Sequence, residues 1–340
     1  GAGCDMGGFS KLAERLRAGQ NLEQAITDAC GAGWIARVEI RGPWLAREDK
    51  GQLDVLVPLP ANIHELKDGT RPVAQSSLNH NGPAGPEGKR NQEWVRWEPL
   101  MPRLELPGWT PPIPGLRPLW LRRRVRTERR LAYLKPNGLK AFLKGEGFPP
   151  EEVAKPEELY GFEQRTGIAI QPDHLTAAEH LIYAVSLLAL RRGVCFYAEV
   201  DLPDEAPADV FDGDNIMDLG GEGRKVCVKP VARFAWPSAP PQDGRLLLLL
   251  TTPAAFAERW RPRLPQGVEL IAATVNGYEA FSGWDLARGG PKPTRFAVPA
   301  GSVYFLESHN GQLFNGSLAE SDEDRRLGYG CVLQGVWNYA

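Results

Sequence analysis

None of the five cysteines, at positions 4, 30, 195, 227 and 331, forms a Cys-x-x-Cys pair. Neither a zinc ribbon nor a thioredoxin-like motif is therefore supported, and the odd count argues against a disulfide framework. No apolar run approaches the roughly 18 to 20 residues that cross a bilayer, and no charged-then-apolar leader opens the chain. A cytoplasmic location is the expectation. Net charge is nearly absent as well, at −2, which argues against a bulk nucleic-acid binder, because such domains are commonly strongly basic. Histidines are few: His64, His80, His174, His180 and His309. His174 and His180 lie six apart, which does not suit a helical metal pair one turn apart, and no metal site or cofactor is expected.

What is plentiful is glycine, at 37, and proline, at 30, so much of the chain should be loop. At 340 residues, with 42% hydrophobic and 24% charged, the chain fits a globular protein of two domains. The charge is unevenly spread. Seven arginines lie between Arg117 and Arg130 against the single acid Glu128, whereas Asp201 to Asp218 holds seven acids and no base. That pattern suits either two solvated surfaces, or a basic stripe for phosphates and an acidic face turned to a partner.

Along the chain, 9–30 reads as a helix with a Gly-Ala-Gly stop, 34–40 as a strand broken by Arg41-Gly42-Pro43, and 53–59 as a second strand. From Lys67 to Pro118 the composition turns to Gly, Pro, Asn and Lys/Arg, which marks a long irregular insertion. Residues 131–144 suggest a short helical element. Thr176 and Glu179 make a capping box ahead of an apolar stripe of Ala178, Leu181, Ile182, Val185, Leu188 and Ala189, which predicts a helix over 176–192. The alternation of 194–201 predicts a strand with Val194, Phe196, Ala198 and Val200 on one face. Helix, strand, strand, insertion, helix, strand is a ferredoxin-like βαββαβ unit without its first strand. The final third supplies strands at 245–251, 268–274, 302–306 and 330–337, with a helix at 253–260 begun by Pro253. The expected class is α+β: two tandem ferredoxin-like units, 1–235 with a large insertion at about 60–170, and 236–340.

Four segments carry chemistry or geometry beyond packing. Glu163-Gln164-Arg165-Thr166-Gly167-Ile168 is a charged cluster leading into a short apolar strand. Leu219-Gly220-Gly221-Glu222-Gly223-Arg224-Lys225 is a glycine-rich loop ending in two cations; its glycines let backbone amides approach phosphate and its Arg can clamp phosphate in a bidentate fork. Ser282-Gly283-Trp284-Asp285 continues to Pro291-Lys292-Pro293 and to Pro299-Ala300-Gly301-Ser302-Val303-Tyr304. Leu327-Gly328-Tyr329-Gly330 makes a Gly-x-Gly turn before the last strand. The order of these motifs is more specific than any one of them. Together with Arg41-Gly42-Pro43, Val57-Pro58-Leu59-Pro60 and Thr252-Pro253-Ala254, it closely resembles the third subunit of Cmr-type (type III-B) CRISPR effector complexes, a RAMP protein.

The resemblance implies two ferredoxin-like domains and a place at the foot of the effector, beside the large polymerase/nuclease-type subunit and the first backbone RAMP subunit. It implies that the protein holds the 5′ handle of the guide RNA (crRNA) without catalytic activity of its own, and meets target RNA only indirectly. Members normally begin with a strand and an acidic, aromatic and basic segment ahead of the first helix. The sequence given starts at Gly1, just before that helix, so no RNA contact is assigned there.

Handle RNA is single-stranded, and its recognition combines phosphate neutralisation, stacking and hydrogen bonds to splayed bases. Arg165, Arg224, Lys225 and Lys292 are the cations inside matched motifs; Thr166 beside the first, Gly220, Gly221 and Gly223 of the glycine-rich loop, and Gly328 and Gly330 of the Gly-x-Gly turn complete the RNA-binding candidates. Trp284 is either a stacking platform or a core anchor. Arg122, Arg123 and Arg124, with Arg126, Arg129 and Arg130, are either phosphate contacts or a solvated face. Two other classes compete. A RAMP-type endoribonuclease would use a histidine as acid or base, but no histidine falls within a matched glycine-rich motif. A purely structural scaffold would need no RNA contact.

Overall fold

A computed structural model describes residues 6–66, 97–121, 127–170, 177–212, 215–219, 224–285, 289–308, 314 and 316–339. The fold is mixed α/β, with antiparallel sheets and few helices. Two helices, Met6–Arg17 and Leu22–Cys30, stand where the 9–30 pattern predicts one. The break falls at Gly19, with φ of 87°. Asn21 then caps the second helix by accepting from the Gln24 amide at 2.8 Å, and Gly31 closes it in the left-handed conformation. Gly33–Arg37 is a 3-10 turn, not the strand that alternation over 34–40 predicts. The strand is Glu39–Asp49, and it passes through Arg41-Gly42-Pro43 by a bulge between Arg41 and Trp44 rather than ending there.

The first sheet runs in spatial order Val194–Asp201, Glu39–Asp49, Gln52–Pro58, Tyr133–Leu134 and Val153–Ala154. Val194–Asp201 is a strand as its alternation predicts, and Val194 is buried, but from Phe196 onward the inward face is the opposite one: Phe196, Ala198 and Val200 are exposed, and Tyr197 and Glu199 are buried. The reason is a polar network that hydrophobic alternation does not register. Glu199 Oε1 accepts from the Tyr197 hydroxyl at 3.1 Å and from Trp236 Nε1 at 2.8 Å. Arg233 lies 3.3 Å and Arg41 3.8 Å from its other oxygen. The buried carboxylate is thus both paired and hydrogen-bonded, the condition under which burial is tolerated.

The second sheet runs Val268–Thr274, Val303–Ser308, Arg245–Leu250, Val332–Gly335, all neighbours antiparallel. All four strands fall where alternation and apolar runs predict them. No helix forms over 253–260. That stretch is a looped segment held by bridges such as Ala254 to Val298 and Phe256 to Arg259, in which Ala254 and Phe256, two apart, are both buried in the cluster around Leu248 and Tyr304.

The largest departure is at 176–192. Ala177–Leu190 is a strand, paired with Tyr160–Ile170 in one long hairpin whose register runs unbroken from Tyr160 opposite Leu190 to Ile168 opposite Ile182 and shifts between Ile168 and Ile170; Thr176 lies outside the described residues. A helix there would need a surface on which to bury its apolar stripe, yet Ile182 is 71% and Leu188 44% exposed. The preceding segment instead offers a run of cross-strand partners, and pairing overrides local periodicity. Gly167 has a specific use in it, because a Cβ at that position would run into the Tyr183 ring.

The main core draws on both sequence halves. Val57, Leu134 and the helix Pro136–Leu143, through Leu139, Phe142 and Leu143, pack with Leu247, Leu249, Ile271, Val303, Phe305 and Trp337. Two glycines keep the seam tight. A Cβ on Gly335 would lie 2.6 Å from the Leu143 carbonyl oxygen, and one on Gly328, at φ of 80°, 2.7 Å from that of Ile40.

Candidate nucleic-acid interface

The long hairpin presents Glu163 and Arg165 on one face, two residues apart. Arg165 Nε donates to Glu163 Oε1 at 2.7 Å. The second Glu163 oxygen lies 3.8 Å from Arg224 Nη2, although 61 positions separate the two residues in sequence. Arg224 is brought there by a second, shorter hairpin, Asn215–Asp218 with Lys225–Val228, whose end is closed by the Leu219 amide donating to the Arg224 carbonyl at 3.0 Å. Glu163, Arg165 and Arg224 are all about half exposed, so the group is an open cationic patch. Two arginines share one carboxylate and leave an excess positive charge facing solvent. Thr166 and Lys225 are exposed beside it.

Trp284 and Lys292 lie on a different ribbon. Trp284–Asp285 pairs with Gly290–Pro291, and at its root Glu279–Phe281 pairs with Arg295–Ala297. The Lys292 amide donates to the Gly283 carbonyl at 2.7 Å, and Ser282 Oγ donates to the Lys292 carbonyl at 2.7 Å. Of the two readings open for Trp284, the core anchor does not fit: the residue is 60% exposed.

Gly328 and Gly330 occupy tight internal positions. A Cβ on Gly330 would lie 2.7 Å from the Ala319 amide nitrogen, and Gly328 abuts the 40–42 backbone. Gly220, Gly221, Gly223, Arg122, Arg123, Arg124 and Arg126 lie outside the described residues, as do His80, His174 and His309. Of the remaining basic stripe, Arg130 pairs with the buried Glu65 at 3.0 Å and with Glu128 at 3.4 Å, and Arg117 donates to the Leu104 carbonyl at 2.9 Å. The acidic run is also engaged at its start, where Asp201 binds Arg41 at 3.2 Å and Arg233 at 2.9 Å.

The sequence gives no sign of a further group, in which Arg295 meets Asp324 through two bonds of 2.7 Å. The Arg295 guanidinium beside Asp324 holds its carboxyl below the usual carboxylate range, assisted by the Ser321 hydroxyl. Burial, with Arg129 nearby, pushes His64 below the ordinary histidine value. Among the described residues no group of three or more His, Cys, Asp or Glu side chains is placed to hold a metal ion, and no helix is long and apolar enough to cross a membrane.

A family model described as "CRISPR-associated protein (Cas_Cmr3)" matches residues 13–337. Among solved structures, the chain is similar to a subunit in the cryo-EM structure of the Type III-B Cmr-beta bound to cognate target RNA and AMPPnP, state 1. That similarity has 14% identity and a TM-score of 0.42, covering 88% of this chain and 76% of that one. A second, the Type III-B Cmr-beta bound to cognate target RNA, shows 15% identity and a TM-score of 0.42, covering 87% and 74%. No curated protein matches significantly.

Proposed function

Because the chain belongs to the CRISPR-associated Cas_Cmr3 family, we propose that it is a non-catalytic subunit of a type III-B (Cmr) RNA-guided effector that grips the single-stranded 5′ handle of the guide RNA and docks the large subunit and an adjacent backbone subunit. The observation that carries this reading is the convergence of Arg165 and Arg224, from two separate hairpins, on Glu163 at an open surface. An isolated surface ion pair contributes little to stability, on the order of 0–1 kcal/mol, so folding alone gives scant reason to assemble two arginines on one exposed carboxylate. Phosphate recognition gives a direct one, because guanidinium forks bind phosphate bidentately. Trp284 and Lys292 add an exposed ring and a cation on a second ribbon, the pairing that single-stranded RNA calls for.

The architecture we propose beneath this site is a pair of ferredoxin-like units. The second sheet supports it, since its four strands, numbered along the chain, lie in the order 2-3-1-4 expected of a βαββαβ unit.

Arg165→Ala combined with Arg224→Ala is the direct test. The variant should assemble with its partner subunits but retain guide RNA more weakly at moderate salt. The slope of log affinity against log salt should fall by about 1.4, the effect of leaving two phosphates of a single strand without their cations. Undiminished retention would remove the RNA role and leave a scaffold. Cleavage of labelled repeat RNA by the purified protein, abolished on substituting one histidine, would restore the nuclease reading.

A further inference from the structure

Beside the root of the Trp284 ribbon lies a cavity of about 1290 Å³. It is larger than the roughly 300–1,000 Å³ of ordinary small-molecule sites, and so has room for more than one residue of a chain. Its walls carry Phe256, Trp260, Tyr278 and Phe296. Tyr278 is 72% and Phe296 60% exposed, and the two rings stand edge to face with centroids 5.3 Å apart. These are large apolar groups held in water, and neither is part of a described core cluster.

The charges of the cavity are arranged asymmetrically. Both carboxylates in its lining are already engaged: Glu320 accepts the backbone amides of Ala257 at 2.8 Å and Arg263 at 3.0 Å, and Asp324 is bound by Arg295. Arg259 and Arg263, both exposed, have no side-chain hydrogen bond or ion pair among the described residues. The loop that carries them is fixed in place by the two Glu320 bonds and by the Tyr304 hydroxyl donating to the Trp260 carbonyl at 2.7 Å. Arg259 itself sits in the left-handed region, at φ of 64°, a conformation that non-glycine residues adopt only when their surroundings impose it. A loop held by these bonds thus presents two guanidinium groups, unpaired among the described residues, beside two solvent-facing rings.

We infer that this cavity binds a short stretch of single-stranded RNA, with a base against the Tyr278–Phe296 pair and backbone phosphates on Arg259 and Arg263. The site chemistry is that of sequence-tolerant single-strand binding, an aromatic platform and cations tracking a backbone. Tyr278 and Phe296 share their ribbon with Trp284 and Lys292, so one strand of RNA leaving the cavity meets that second ring and cation. The inference rests on the RNA-binding reading above and extends it to residues outside every motif that carries it.

The test is fluorescence anisotropy of the full chain with labelled octa-adenylate and octa-uridylate. Tyr278→Ala with Phe296→Ala should weaken binding of both by at least about fivefold, the lower end of what loss of one base stack costs. Tyr278→Trp should preserve it. Arg259→Ala with Arg263→Ala should lower the salt slope by about 1.4. All four positions are exposed, so the thermal transition should not move. Unchanged affinity in both double variants would overturn the inference; if Arg165→Ala with Arg224→Ala still weakened binding, the function proposed above would stand without it. AMP binding as tightly as the oligonucleotides, or poly-glutamate displacing them, would overturn it equally, in favour of a free nucleotide or an acidic protein segment.

Discussion

Single residues here divide by what a substitution would reach. Gly328 lies in one of the motifs that make it an RNA-binding candidate, yet its missing Cβ faces the Ile40 and Gly42 carbonyls at 2.7 and 3.1 Å, at a φ of 80°. Backbone cannot retreat as a flexible side chain does, so Gly328→Ala combines a clash with a strained conformation. It should cost about 1–3 kcal/mol, the range of ordinary destabilising substitutions. Thermal denaturation should show a lowered midpoint, whereas Arg224→Ala, at an exposed position, should leave it within about 0.5 kcal/mol of the parent. If Gly328→Ala melted normally but released RNA, the glycine would belong to the interface instead of the seam.

At the scale of elements, the long hairpin 160–190 behaves as a unit of its own. Its strands pair with each other and not with either main sheet, while its base is anchored by buried Leu159 and by the Arg191 amide donating to the Leu159 carbonyl at 2.9 Å. Val185→Pro, opposite Arg165, removes a backbone donor in mid-strand. The expected result is a nearly unchanged global melting midpoint with weakened guide-RNA retention, because the Arg165–Glu163–Arg224 patch loses its framework; a large drop in the midpoint would show the hairpin to be part of the core. This element also marks the limit of what the sequence reveals. The strands of the second sheet are legible, since runs such as 245–250 and 303–308 are apolar and bounded by turns. The 176–192 segment carries a convincing helical stripe, and only a partner strand upstream, a non-local fact, decides against it. In the same way Arg165, Arg224, Trp284 and Lys292 are visible through their motifs, whereas the role of Glu163 as the junction of the two arginines and the cavity around Tyr278 depend on which loops meet.

For the whole molecule, the decisive feature is that the 235/236 boundary drawn between two periodic units does not divide the main core. Leu143, on the helix 136–143, is 1% exposed and belongs to one cluster with Leu247, also 1% exposed, and with Trp337 from the end of the chain. The Val336 amide, just past the last strand, donates to the Leu143 carbonyl at 2.8 Å, so the end of the chain and the helix 136–143 share backbone as well as side-chain contact. Two units that bury one another's apolar surface lose that burial together, and their unfolding is coupled. Calorimetry of the chain should give a single transition. Leu143→Ala and Leu247→Ala, one on each side of the boundary, should shift the same transition, each by the roughly 2–5 kcal/mol of a core leucine truncation. Two transitions, each moved by only one of the substitutions, would make the halves independent. The coupling bears on function as well. The patch at Arg165 and Arg224 rises from the first half, and the Trp284 ribbon with its cavity from the second. On the proposed reading that guide RNA reaches both sites, Leu143→Ala should loosen it only at temperatures where that common transition has begun.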